Sequence, residues 1–228
     1  HDQRRTAARA YGAAPSSRPG LAAAEGALGR DRALSAPPLS LYVHMPWCVR
    51  KCPYCDFNSH AAPGDEQGGV PEAAYISALL QDLDQDLADF PDTHAGEREL
   101  VSIFIGGGTP SLISPAGYAT LFTGLRQRLR FADDIEITLE ANPGTVEQGL
   151  FQGYREVGIN RLSIGVQTFQ TAQLKALGRI HSGDEAQRAA QSAREVGFSN
   201  FNLDLMHGLP GQSLQQALDD LRQAIALE

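Results

Sequence analysis

The sequence predicts an α/β fold built on a parallel sheet. Short segments of alternating apolar residues are separated by stretches with helical apolar spacing. One strand, residues 101–105, is a short apolar run of the kind found in parallel sheets. The residues able to do chemistry collect at the C-terminal ends of the strands, as they do in (β/α) barrels.

The elements follow in order. Pro37-Pro38 ends a compositionally distinct leader. Leu39–Met45 alternates, with Leu41, Val43 and Met45 on one face, and reads as a strand. A loop with all the cysteines follows, then a Gly-rich loop over residues 64–69. Residues 72–90 carry Ala73, Ile76, Leu79, Leu80, Leu83 and Leu87 at helical spacing. The strand at 101–105 runs into Gly106-Gly107-Gly108-Thr109-Pro110, and a helix over 115–130 shows the stripe Tyr118, Leu121, Phe122, Leu125, Leu129. Ile135, Ile137 and Leu139 alternate in a strand ending at Glu140, and a helix at 145–157 follows. Leu162, Ile164 and Val166 alternate in a strand ending at Gln167. Two short helices are expected at 171–177 and 184–196. Phe201, Leu203 and Leu205 make the fifth strand, and a last helix starts with Ser213 as its N-cap. The order βαβαβαβαβα fits either a doubly wound sheet or part of a (β/α) barrel.

Composition narrows the function classes. The chain has 228 residues and a net charge of −8, which does not suggest a nucleic-acid partner. No run of 18 apolar residues exists, so no transmembrane segment is expected. Residues 1–36 hold six arginines against three acids. That composition resembles an organelle transit peptide, but a disordered or non-native extension is the reading adopted, with residues 37–228 as the folded domain. The chain begins at His1 rather than Met, as a piece of a longer protein would.

The three cysteines of the chain lie in Cys48-Val-Arg-Lys-Cys52-Pro-Tyr-Cys55. An odd count on one short loop is no disulfide framework. Clustered thiols point to a reducing compartment, here the cytoplasm, and to a metal site. Cysteine thiolates hold iron–sulfur clusters, normally four per cubane, so three would leave one iron open to a small molecule. A Cys3His zinc site completed by His44 or His60, or one completed by Asp56, is the alternative, and three inert thiols are a third.

Other residues join the cysteines at the same end of the sheet. The glycine run permits close backbone approach, and it fits neither G-x-G-x-x-G nor G-x4-G-K-[ST]. Glu140 could accept from an ammonium or a ribose hydroxyl, Gln167 can donate and accept, and Arg179 could pair with a carboxylate. Asp204 points away from the face of Leu203 and Leu205, where a carboxylate needs a partner or a ligand.

The cysteine spacing, with an aromatic before the last cysteine, resembles the signature of the radical S-adenosylmethionine superfamily. The segment from Leu41 through Cys55-Asp56-Phe57-Asn58 resembles its oxygen-independent coproporphyrinogen III dehydrogenase branch. So do Gly106–Pro110, Glu140-Ala-Asn-Pro143, Arg161-Leu-Ser-Ile-Gly-Val-Gln167, Leu177-Gly-Arg-Ile-His181 and Asp204-Leu-Met-His-Gly-Leu-Pro210. The dehydrogenase proper carries a fourth cysteine where this chain has Phe57, and the local sequence is closer to the heme chaperone subfamily. The resemblance implies a partial (β/α)6 barrel with five βα units present and the sixth strand missing. It implies that Cys48, Cys52 and Cys55 bind a 4Fe–4S cluster. It implies that Tyr42, Tyr54, Gly107, Gly108, Thr109, Glu140, Gln167, Arg179 and Asp204 contact S-adenosylmethionine. Family chemistry is one-electron cleavage of the sulfonium. The chaperone reading implies heme as cargo, a heme-acceptor protein and an electron donor. The alternative is oxidative decarboxylation of coproporphyrinogen III in porphyrin biosynthesis. His44, His60, His94, His181 and His207 are the candidate heme ligands.

Overall fold

The computed structural model describes residues 36–63 and 69–227. The expected N-terminal extension, up to residue 35, and residues 64–68 of the Gly-rich loop lie outside the described residues.

The chain runs β1 (Leu39–Met45), the two-residue strands β2 (Trp47–Cys48) and β3 (His60–Ala61), α1 (Glu72–Asp89), β4 (Glu99–Gly107), α2 (Pro115–Arg126), β5 (Arg130–Ala141), α3 (Thr145–Glu156), β6 (Arg161–Gln167), α4 (Thr171–Ala176), α5 (Gly183–Glu195), β7 (Phe201–Leu205) and α6 (Leu214–Ile225). Single-turn 3₁₀ segments occupy Pro91–Thr93 and Pro110–Leu112. Ser213 caps α6 with a reciprocal capping box through Gln216, as its position ahead of Leu214 predicts.

Five strands form one parallel sheet in the order β1-β4-β5-β6-β7. Spatial order follows chain order, with no reversal. A doubly wound sheet needs a reversal, at which its ligand sits; a barrel grows in one direction. The fold is therefore the barrel alternative, an open α/β barrel of five strands.

The strands β1, β4, β5 and β6 bury one apolar face. Val43 and Met45, Ile103 and Ile105, Ile137 and Leu139, Leu162, Ile164 and Val166 are buried beneath the helices. α2 contributes Tyr118, Leu121, Phe122 and Leu125, and α3 contributes Phe151 and Tyr154. α5 presents only alanines, Ala186, Ala189, Ala190 and Ala193, so it can lie close to the sheet. The opposite face is polar: Ser102 donates to Ser40 Oγ at 2.8 Å, and Arg161 donates to Thr138 Oγ1 at 3.2 Å and Asn202 Oδ1 at 2.5 Å.

The strand–helix boundary near residue 130 departs from expectation. The apolar stripe predicts a helix to residue 130 and a strand from 135. α2 instead ends at Arg126 and β5 begins at Arg130. Leu129 is buried in the turn between them, which prolongs the stripe without prolonging the helix. The polar start of β5 is held by pairing with β4, where Arg130 forms an ion pair with Glu99 at 2.8 Å. β4 itself spans Glu99–Gly107, two residues longer at each end than the predicted strand, because its ends pair with β1 and β5.

Candidate functional site

A cavity of about 760 Å³ opens at the C-terminal ends of the strands. Eleven of the twelve residues expected to bind cluster or cofactor line it: Cys48, Cys52, Cys55, Tyr54, Gly107, Gly108, Thr109, Glu140, Gln167, Arg179 and Asp204. Tyr42 does not. It stands 56% exposed on the edge strand, stacks on Phe104 at 6.3 Å between ring centroids, and donates its hydroxyl to His44 Nδ1 at 3.0 Å. Phe104 takes its place in the lining.

The cysteine loop is closed at its base by the pairing of β2 with β3. His60 N donates to Pro46 O at 2.6 Å and Ala62 N to Cys48 O at 2.8 Å. His44 Nε2–H donates to Asn58 O at 2.7 Å, so both its nitrogens are occupied within the protein. Cys48 is buried, and Cys52 and Cys55 are half-buried. Among the described residues, no three His, Cys, Asp or Glu side chains converge on a point that could hold a single metal ion. A zinc site needs such convergence, whereas each thiolate of a cubane meets a different iron.

Arg179 reaches across the cavity to this loop. Its Nη1 donates to Cys52 Sγ at 3.6 Å, while Nη2 donates to Asn142 Oδ1 at 2.7 Å and Gly165 O at 2.9 Å. The guanidinium thus fastens the cysteine loop to the ends of β5 and β6.

The glycine run owes its composition to packing within the protein. Gly107 has φ +115°, and a Cβ there would meet the His44 ring; at Gly108 it would run into the Trp47 carbonyl oxygen. All three N–H groups of the segment are spent: Gly107 N on Glu140 Oε2 at 3.1 Å, Gly108 N on Met45 O at 2.6 Å, and Thr109 N on Trp47 O at 2.6 Å. Of the backbone of this segment only carbonyl oxygens remain to serve a ligand, beside the Thr109 hydroxyl, which suits an ammonium rather than a phosphate. Two buried tyrosines hold the next turn, Tyr118 donating to Pro110 O and Tyr154 to Ser111 O and Ile113 O. Burial raises both phenols, which keeps them as donors.

Carboxylates surround the interior. Burial raises Glu140, against the opposing pull of the Gly107 N–H, and the nearby Asp204 charge raises it further. Burial also raises Asp204, which accepts from Ser163 Oγ at 3.1 Å and Asn202 Nδ2 at 2.6 Å. These are the partners that an acid on this face requires. Glu147, at the start of α3, is a third acid of the lining, raised by burial and drawn down by its own N–H and by Arg179. Its place in the first helical turn reads as a capping acid, so the sequence alone did not mark it. Gln167 adopts φ +67°, rare for a non-glycine residue, and its carbonyl accepts from Met206 N at 2.8 Å. Strain of this kind persists where surrounding structure imposes it, commonly at ligand sites.

Of the described histidines, only His181 lines the cavity. It is buried, its Nε2–H donates to Val166 O at 3.1 Å, and burial, reinforced by Arg179, pushes its pKa down to about 4. Its Nδ1 has no partner among the described residues. His60 and His207 are exposed, and exposed His94 lies near Glu97, away from the cavity.

Residues 42–224 match the family model of the radical SAM superfamily. The chain is 59% identical over 191 residues to a protein named heme chaperone HemW from Escherichia coli (strain K12), covering 84% of this chain and 48% of that protein. It is 58% identical over 191 residues to the HemW of Haemophilus influenzae, covering 84% and 49%. Among solved structures it is similar to the coproporphyrinogen III oxidase HemN of E. coli, a radical SAM enzyme, at 31% identity and a TM-score of 0.68, covering 84% of this chain and 42% of that one. The chain thus spans about half the length of the curated relatives it matches. With a cysteine loop at the mouth of an open parallel barrel and a family match over most of its length, the chain belongs to the radical SAM superfamily.

Proposed function

We propose that this chain is the cofactor-binding part of a heme chaperone, binding a 4Fe–4S cluster, S-adenosylmethionine and heme, and passing heme to an acceptor protein. The observation that carries the cofactor reading is the meeting of three cysteines, four carboxylates (Glu140, Glu147, Glu185 and Asp204) and the guanidinium groups of Arg50 and Arg179 on a single cavity. Cys48, Cys52 and Cys55 hold the cluster, which when bound supplies one electron to the sulfonium cofactor. That cofactor carries a sulfonium, an ammonium and a carboxylate. Glu140, Asp204 and the carbonyls of the glycine segment attract its cations, Gln167 and Thr109 supply neutral hydrogen bonds, and Arg179 faces its carboxylate. Tyr54 packs over the loop, and Tyr42 acts through Phe104 and His44. Residues 37–228 constitute five of six βα units of the barrel, and residues 1–36 an extension outside it. The reading also calls for an electron donor and a cytoplasmic setting.

The heme part is supported by identity to the HemW proteins and by Phe57, exposed on the cavity where the dehydrogenase carries its fourth cysteine. The structural likeness to HemN keeps porphyrinogen oxidation as the second reading.

Anaerobic reconstitution with iron and sulfide is expected to give about four irons per chain and the visible absorbance of thiolate-bound iron, both lost in Cys52→Ala. Stoichiometric zinc without that absorbance would sink the cluster. The loaded protein is expected to bind hemin and to leave coproporphyrinogen III unchanged anaerobically. Protoporphyrinogen IX detected by chromatography would favour the dehydrogenase.

A further inference from the structure

Large apolar side chains stand exposed around one opening. Val49 is 57% exposed, Phe57 58% and Ile180 64%, and all three line the cavity together with the partly exposed ring of Tyr54. Two distant segments supply them, the cysteine loop and the stretch after α4, so the grouping is tertiary rather than one apolar run. Single exposed apolar residues are ordinary, but a group gathered on the rim of a site marks a surface for something. The same rim carries a cation. Arg50 is exposed, lines the cavity, and has no ion-pair or hydrogen-bond partner among the described residues.

We propose that this rim captures iron protoporphyrin, laid across the mouth of the cavity with its ring on Val49, Phe57 and Ile180 and a propionate on Arg50. Resting on the heme-carrier reading above, this adds where the cargo lies and what holds it. Volume supports the mouth over the interior. A cavity of about 760 Å³ is the size of a one-ligand pocket, so an interior filled by cluster and nucleoside has no room for a tetrapyrrole. Charge supports it too. Glu140, Glu147, Glu185 and Asp204 outnumber Arg179 in the interior and repel propionates there, and Arg50 attracts them outside.

The histidines add a sharper consequence. His44 has both nitrogens engaged, His181 is buried with Nε2–H on the Val166 carbonyl, and His60, His94 and His207 do not line the cavity. Among the described residues the rim therefore offers the iron no exposed imidazole, the unpartnered Nδ1 of His181 being buried, and in the loaded protein the three thiolates are committed to the cluster. Ring burial and charge do the holding, and they are blind to the metal.

The test is titration of the 228-residue chain, loaded anaerobically with its cluster and S-adenosylmethionine, with hemin and with metal-free protoporphyrin IX, following Soret absorbance and porphyrin fluorescence. The two are expected to bind within about threefold of each other. Phe57→Ser and Ile180→Ser should each weaken both about tenfold, the worth of one apolar side chain against a ligand. Arg50→Gln should weaken both by about fivefold and reduce the salt dependence. All three positions are exposed, and circular dichroism identifies any variant that fails to fold; the remaining two then carry the test. Binding of hemin without metal-free porphyrin would mean axial ligation and overturn the rim. Equal binding of both, indifferent to all three substitutions, would overturn the rim and leave the heme-carrier reading standing. Binding of neither porphyrin by the unsubstituted chain would overturn both for this chain.

Discussion

His181 has its protonation state set by its surroundings. Burial is the larger cause and the Arg179 cation the second, and together they outweigh the Val166 carbonyl and the Glu185 charge. The folded value of about 4 lies below the ordinary 6.5. A base with a depressed folded value contributes stability that is complete above pH 6.5 and lost as pH falls toward 4, at most about 3 kcal/mol. Glu140 and Asp204, raised by burial, work in the opposite sense, so the histidine must be isolated by substitution. His181→Phe is expected to flatten the pH dependence of urea unfolding between pH 7 and pH 4.5; an unchanged slope would show that its neutrality carries no stability. At this scale the gathering of the cysteines, Glu140, Gln167 and Asp204 on one cavity was legible, because strand ends and the loops that leave them place side chains predictably, whereas Arg179, after α4, was singled out by the resemblance. Glu147 and the burial of His181 were not. An acid in a first helical turn and a lone histidine look alike whether they face solvent or a cavity.

At the scale of elements, the segment from Gly106 to Leu112 is held on one side by the β1–β2 backbone and on the other by Tyr118 and Tyr154. Gly108→Ala would drive a methyl into the Trp47 carbonyl and prise apart the bonds to Met45 and Trp47, an expected loss of about 3 kcal/mol or more. Gly149→Ala in α3 meets nothing within 4 Å and should stabilise by about 1 kcal/mol. Thermal unfolding of the two variants checks the contrast, and equal shifts would contradict it. The glycine run could be read as a close approach, but not as an approach of protein to protein, since the partner carbonyl lies some sixty residues earlier. The start of β5 was hidden for a similar reason: Arg130, Asp133 and Asp134 carry no strand pattern, yet Arg130 and Phe131 pair with Glu99 and Leu100 of β4, and the two acids lie in the register shift before Glu136.

For the whole molecule, the sequential strand order leaves β7 with an unpaired outer edge among the described residues. Beside it lies a groove of about 780 Å³ whose lining includes Phe201, Leu203, Leu205, Leu221 and Ile225, the last two more than half exposed. An open edge next to apolar surface is a template for pairing. The 228-residue chain on its own is expected to self-associate with rising concentration in sedimentation velocity, and Leu221→Lys with Ile225→Lys to suppress it. A concentration-independent monomer would argue that this edge is protected.

The spent N–H groups of Gly107, Gly108 and Thr109 make the cavity a filter as well as a container. Adenosine-bearing molecules in a cell share one nucleoside and differ chiefly in the sign of the tail. On the cofactor reading proposed above, a glycine segment whose backbone offers only lone pairs, with Glu140, Glu147, Glu185 and Asp204 on the same lining, disfavours a polyphosphate tail and favours a cationic one, leaving Arg179 to meet a single carboxylate. On that reading part of the discrimination against abundant nucleotides lies in the backbone, which a substitution at the rim leaves unchanged.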